Sequence, residues 1–145
     1  MGQSNASLRM EVADKLHSAA IHLLRRARRQ DVASRQAPAR LSALSVLVFG
    51  GPHTLGQLAK AEQVKAPTMS RIVAGLERSG LARIEADAHD ARRIRILATA
   101  KGTRLLHQAR QRRIQAIEEL LASLNAKELE TLRNAARLIE QSMQR

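Results

Sequence analysis

The sequence predicts a mainly α fold with one small β-hairpin, and three observations carry that expectation. Apolar residues recur at intervals of three and four over most of the 145 residues, as in helices that bury one face. Alternation with period two is confined to two short runs, Leu81–Glu85 and Arg93–Leu97, enough for a single hairpin. Aromatics are nearly absent, with one Phe and no Trp or Tyr, so the core must be built from Leu, Ile, Val, Ala and Met. Such side chains interdigitate well between helices, and a chain of this length can bury a real core within a single domain.

The first helix is expected from about Ala6 to Gln36, after a short, frayed polar lead, Met1–Asn5. Leu8, Val12, Leu16, Ala19, Ala20, Leu23 and Ala27 form its apolar face, and the run holds no Gly or Pro. Arg25, Arg26, Arg28 and Arg29 crowd its last turns, where cations suit the negative end of the helix dipole. Pro38 marks the break. A second helix, about Ala39 to Phe49, is apolar around most of its circumference and should lie inside the domain; Gly50-Gly51-Pro52 ends it.

Thr54-Leu55-Gly56-Gln57 is a capping box that opens a short helix burying Leu55, Leu58 and Ala59. Val64 should pin the turn that follows. Pro67 then starts a further helix, which runs to Ser79 and stops at Gly80. On its wheel Met69, Ile72, Val73 and Leu76 share one face. Pro67, Ser70, Arg71, Ala74 and Arg78 share the opposite face, with Thr68 and Gly75 beside them. The two strands come next, with Ile84, Ile94 and Ile96 expected to face inward and Ala86–Arg92 as the connecting loop. Two helices and a hairpin in this order make a winged helix-turn-helix, over about residues 39–99.

Thr99 caps a long helix, about Ala100 to Ala122, whose middle is basic through Arg104, Arg110, Arg112 and Arg113. Asn125-Ala126-Lys127-Glu128 offers a second cap and opens a final helix with Leu129, Leu132, Ala136, Ile139 and Met143. The outer segments, about 6–36 and 100–145, have no obvious partner within so small a unit. A subunit interface is the economical explanation, making a homodimer.

Charge bounds the function. The 25 Lys and Arg against 13 Asp and Glu leave +12, which points to a polyanionic partner: nucleic acid ahead of an anionic membrane surface. Scarce aromatics argue against base-stacking modes of RNA or single-strand binding. The lack of cysteine excludes disulfides, thiolate metal sites and thiol redox sensing. No apolar run approaches the roughly 20 residues that span a bilayer and no secretory signal is present, so a cytoplasmic location is expected. The opening Met-Gly resembles an acylation signal but has Ala6 where Ser or Thr is needed.

Enzyme chemistry finds no support, and no cofactor or metal is expected. His17 and His22 are five apart rather than the four of a metal-binding helix, and His53, His89 and His107 are scattered. Gly50-Gly51 is a turn, not a phosphate loop. The helix at Pro67, by contrast, presents small residues, hydroxyls and arginines outward. That combination lets a helix enter the major groove of double-stranded DNA, where Arg can bond guanine O6 and N7. The loop can lay Arg92 into the minor groove, with Asp90 orienting it. Two functions share these features: a sequence-specific regulator reading a pseudo-palindrome as a dimer, and a sequence-neutral architectural DNA binder.

The residues resemble the MarR family of winged helix-turn-helix transcriptional regulators from about Leu8 to Met143. The resemblance lies in a succession: Leu58-Ala59, Thr68-Met69-Ser70-Arg71, Leu76-Glu77-Arg78-Ser79-Gly80-Leu81, Asp87-x-x-Asp90-x-Arg92 and Leu97-Ala98-Thr99-Ala100-Lys101-Gly102, followed by Leu124-Asn125-Ala126-Lys127-Glu128-Leu129. It implies DNA contacts from Pro67, Thr68, Ser70, Arg71 and Arg78 on the recognition helix and from Asp90 and Arg92 on the wing. It also implies a homodimer built by the first and last two helices, and repression controlled by a small, often aromatic effector. Nothing in the sequence selects the effector pocket, which would draw on His17 or the second helix. Ala66, where a capping residue is common, and Ala88, where Pro is common, depart from the pattern.

Overall fold

The computed structural model describes residues 2–144. Helix α1 spans Gly2–Arg28 and passes into a six-residue 3-10 turn, Arg29–Ser34. Then follow α2 (Pro38–Gly50), α3 (Leu55–Ala61), α4 (Ala66–Arg78), β1 (Ala82–Ala86), β2 (Ile94–Ala98), α5 (Ala100–Leu121) and α6 (Ala126–Met143). The fold is mainly helical with one antiparallel hairpin, a winged helix-turn-helix with helices on both sides.

The expected single helix from Ala6 to Gln36 starts earlier and breaks earlier. It already includes Gly2–Asn5, while Met1 lies outside the described residues. The break after Arg28 has a local and a distant cause. Locally, Ser34 Oγ donates to the Asp31 carbonyl at 2.5 Å and accepts from the Gln36 amide, and Arg35 closes the turn at φ 55°. At a distance, Arg113 of α5 grips the buried Asp31 carboxylate through Nε at 2.7 Å and a terminal nitrogen at 2.5 Å. Of the arginines expected to serve α1's own end, Arg26 instead donates to the Ala116 carbonyl of α5 at 3.3 Å.

The core lies between α2, α3, α4 and the base of the hairpin, with Leu44, Leu58, Met69, Leu76, Leu81 and Ile96 fully enclosed and Leu106 of α5 closing it. Leu41, Ala43, Leu44 and Leu47 bury α2 as its composition predicts, but Phe49 at its end is 64% exposed. Its ring meets His107 edge-on at 6.0 Å. Both capping boxes form. Thr54 Oγ1 accepts from Gln57 N while Gln57 returns the bond, and Asn125 with Glu128 does the same at α6. Val64 packs half-buried against the core behind Gln63, which takes φ 55° in the turn between α3 and α4.

The hairpin corrects one expectation. Ile84 pairs with Ile96 and Ala86 with Ile94, so period two did assign the three isoleucines to one face. Only Ile96 is enclosed, however; Ile84 is 40% and Ile94 49% exposed. The body ends at the base of the hairpin, where His53 pairs with Ile96 through both backbone bonds, at 3.1 and 2.8 Å, as a third short strand. Beyond that point the strands project past the helices.

Where α5 begins, Gly102 stands against the chain between α4 and β1. A Cβ there would overlap the Leu81 carbonyl oxygen, with Leu81 C at 3.0 Å and Leu44 Cδ1 at 3.1 Å. Gly56, also in a first helical turn, has nothing within 4 Å. Gly102→Ala should therefore destabilise by about 1–3 kcal/mol despite alanine's better helix propensity, because backbone cannot yield as a flexible side chain can. Gly56→Ala should be neutral or stabilising by up to about 1 kcal/mol. Urea unfolding midpoints of the two variants check this, and equal midpoints would contradict it.

Candidate nucleic-acid interface

Helix α4 is held by its inner face. Met69, Val73 and Leu76 are buried and Ile72 is half-buried, which turns Pro67, Thr68, Ser70, Arg71 and Arg78 outward, all exposed. The helix begins one residue before the expected Pro67, with Lys65 as an N-cap lacking a side-chain bond and Pro67 in the first turn. Pro67 suits that position because its fixed φ is helical and the missing N–H has no partner to lose. The side chains of Arg71 and Arg78 make no ion pair among the described residues.

The wing loop is built by two aspartates, both in the Asp87-x-x-Asp90-x-Arg92 pattern, although only Asp90 was expected to serve Arg92. Asp87 Oδ1 accepts from His89 N at 2.8 Å, and Oδ2 pairs with Arg95 Nε of β2 at 2.6 Å. The backbone closes the same loop, with Asp87 N donating to the Arg93 carbonyl at 2.7 Å and Arg93 N to the Asp90 carbonyl at 2.9 Å. The Asp-x-His spacing is a local turn signal that could have marked Asp87. The His89 amide first, then Arg95, holds the Asp87 carboxyl below its ordinary value. Asp90 meets Arg92 through the backbone. Its Oδ1 accepts from the backbone N of Arg92 at 3.0 Å, and its other oxygen lies 3.8 Å from Arg93 Nε. It thus fixes the backbone at Arg92 rather than the guanidinium, which has no ion-pair partner among the described residues and projects from an exposed position.

A separate cavity of about 310 Å³ lies between α1, α2 and α5. Leu24, Leu41, Phe49 and Leu106 give it apolar walls, Ser42 and Ser45 supply hydroxyls, and Arg28, Arg110 and Arg113 line it with cations. Residues of the second helix line this cavity and His17 does not. Arg113 belongs also to the fork on Asp31, which raises its pKa above the ordinary arginine value.

The family-model match falls within this helix-turn-helix region, and the relatives match well beyond it. Residues 37–93, from the start of α2 to the wing, match the sequence model of the MarR family. A helix-turn-helix type transcriptional regulator of Mycobacterium leprae, itself uncharacterized, is 34% identical over 128 residues, covering 88% of this chain and 90% of that protein. The chain belongs to the MarR family. It is accordingly a DNA-binding transcriptional regulator. A MarR family protein from Bacillus stearothermophilus superposes on this MarR-family fold with a TM-score of 0.82 at 25% identity, covering 93% of this chain and 94% of that one. A MepR variant of S. aureus, bound to an oligodeoxyribonucleotide, shares the fold with a TM-score of 0.69 at 22% identity, covering 91% and 97%.

Two expected outcomes follow from these side chains. The depressed carboxyl of Asp87 stabilises the folded wing at pH values above its unfolded pKa, and that contribution is lost as pH falls through the lower folded value. Amide exchange at Arg93 and Arg95 should accelerate on acidification through that window in the native protein, and the pH step should vanish in Asp87→Asn. In the Asp31–Arg113 pair the aspartate side chain is 5% exposed and the arginine 35%. Arg113→Met leaves a buried carboxylate unpaired and should approach the 3–5 kcal/mol cost of breaking a buried pair, about the upper limit for such sites. Asp31→Asn leaves a cation that can turn to water and should cost clearly less. Denaturant unfolding of both variants ranks them, and the reverse order would refute the argument.

Proposed function

We propose that this MarR-family regulator is a cytoplasmic, sequence-specific repressor that reads a pseudo-palindromic operator as a homodimer and is released by a small ligand. The carrying observation is the face of α4. Thr68, Ser70, Arg71 and Arg78 stand exposed on a helix anchored by its opposite side, and the Asp87-braced wing presents Arg92 beside it. On this reading α4 enters the major groove, with Thr68, Ser70 and Arg71 meeting base edges and Pro67 and Arg78 bordering the contact. Arg92 enters the minor groove, and Asp90 sets its backbone. The oligodeoxyribonucleotide bound to the MepR variant of the same fold supports a DNA target.

The dimer reading rests on the helices at the chain's ends. Leu8, Met10, Val12 and Leu16 of α1, and Leu129, Leu132, Leu138 and Met143 of α6, are all more than 40% exposed, and α6 buries no residue within the protomer. Water does not favour two such faces, and a second copy would cover them. The winged unit, about 39–99, would then be held between dimerisation helices at about 6–36 and 100–145. Two reading helices related by a twofold axis address half-sites about one helical turn, roughly 34–36 Å, apart. The cavity between α1, α2 and α5 touches both regions and is the proposed ligand seat. A ligand acts there only if it binds one spacing of the reading helices better than the other.

Arg71→Ala should weaken operator binding by about 1–3 kcal/mol and relax preference at one base position. Arg92→Ala should weaken binding with a smaller change in preference, and affinity should fall steeply with salt in proportion to the phosphates neutralised. Fluorescence anisotropy on a selected duplex and its shuffled counterpart measures all three. A selected-to-shuffled ratio of roughly 10³ or more supports the regulator reading, whereas equal affinities would replace it with an architectural binder.

A further inference from the structure

Beside the reading helix lies a cation with no role so far. Arg40 stands in the first turn of α2, half-buried, and its guanidinium lies across α4 at Gly75. A Cβ on Gly75 would stand 2.5 Å from Nε, 2.5 Å from a terminal nitrogen and 2.6 Å from Cζ of Arg40. The missing side chain of Gly75 is therefore the seat on which Arg40 rests. Among the described residues Arg40 makes no ion pair.

Its position is poorly explained by the protein alone. The dipole of α2 opposes a cation in its first turn, and no acidic residue there offsets it. On α4, Glu77 is two residues from Gly75, a spacing at which side chains point away from each other. Arg71 is four residues before Gly75 and so lies on the same side, one turn away. Two guanidinium groups thus share one side of α4 and repel each other, and neither has an ion-pair partner among the described residues. An anion outside the protein relieves that repulsion, and the planar fork of Arg fits a phosphate in particular.

We propose that Arg40 is a DNA-backbone contact, supplied from α2 and positioned by Gly75, next to the base-reading side chain of Arg71. The proposal rests on α4 being the recognition helix. Gly75 then serves the complex rather than the fold. Ala is the better helix former, and only the end of a flexible Arg must move to admit it, so Gly75→Ala should not lower stability while it does lower affinity.

The test uses the full-length chain and a fluorescein-labelled duplex recovered by that chain from a random-sequence pool, together with its shuffled counterpart, across a salt series. Arg40→Ala should weaken both duplexes by the same factor and reduce the log–log salt slope by about one. Arg40→Gln, which keeps much of the stem without the charge, should show the same slope change if Arg40→Ala lowers the thermal midpoint. Gly75→Ala should weaken binding comparably with an undiminished thermal midpoint, and should add nothing in the Arg40→Ala background. Wild-type affinity and slope in Arg40→Ala and Arg40→Gln, or a Gly75→Ala penalty that persists without Arg40, would overturn the proposal. Arg71→Ala keeps the two ideas apart. If it loses affinity and base preference while the Arg40 variants do not, only the role of Arg40 falls; if it behaves as wild type, the recognition-helix reading fails and this proposal with it.

Discussion

The close approach of the start of α5 to the end of α4 fixes how α4 is set against the rest of the protein. Three successive carbonyls at that helix stop are taken by α5 and its cap: Lys101 Nζ donates to Ser79 O at 2.9 Å, Thr99 Oγ1 to Gly80 O at 2.6 Å, and Thr99 N to Leu81 O at 3.0 Å. Helix ends leave such groups without intrahelical partners, and satisfying them from another element ties the two elements together. Gly102 makes the approach possible, and Leu44 of α2 packs into the same corner. Three helices thus meet at one joint, where two side chains and one backbone amide of α5 and its cap all donate to backbone carbonyls.

The acids of the chain are placed to keep the reading face bare. Asp87 is engaged with His89 and Arg95, Asp90 with the backbone of Arg92, Glu85 with Arg83 at 2.7 Å, and Asp31 with Arg113. Each serves the wing or the joint between α1 and α5. None reaches Arg71 or Arg78, so both guanidinium groups stay unpaired among the described residues on the proposed reading face. A surface ion pair across that face would have weakened the potential there while adding little stability.

What the sequence disclosed was local, and what it concealed was long-range. Both capping boxes and the glycine stop at Gly80 depend on residues within a turn of one another and stand as read; on α4, however, Gly75, expected beside the outward set, is buried beneath Arg40. The break after Arg28 depends on Asp31 meeting Arg113, 82 positions later, and no spacing rule reaches that far. The strands show the same limit in another form. Period two correctly put Ile84, Ile94 and Ile96 on one face, but alternation cannot say how far the body extends beneath a sheet, so only Ile96 is enclosed. The bridge at His53 was hidden because a one-residue strand has no period. Gly75 looked like an ordinary helix glycine, and only the position of Arg40 across it shows why a side chain is absent.

These constraints narrow how a ligand in the α1–α2–α5 cavity could act on the proposed reading. Helix α5 carries both the joint at Gly102 and the cavity residues Leu106, Arg110 and Arg113, joined by about 16 Å of unbroken helix. Slippage at the joint would strand backbone carbonyls, so movement at the cavity is passed to α4 rather than absorbed. Of the three arginines lining the cavity, Arg113 is already committed to the buried Asp31. Drawing it onto a ligand would leave that carboxylate unpaired, at a cost a small molecule could hardly repay. A polar ligand group is therefore met by Arg28 and Arg110, one on α1 and the other on α5. On the proposed dimer, contacts with both would change the angle between α1 and α5 and with it the distance between two paired α4 helices.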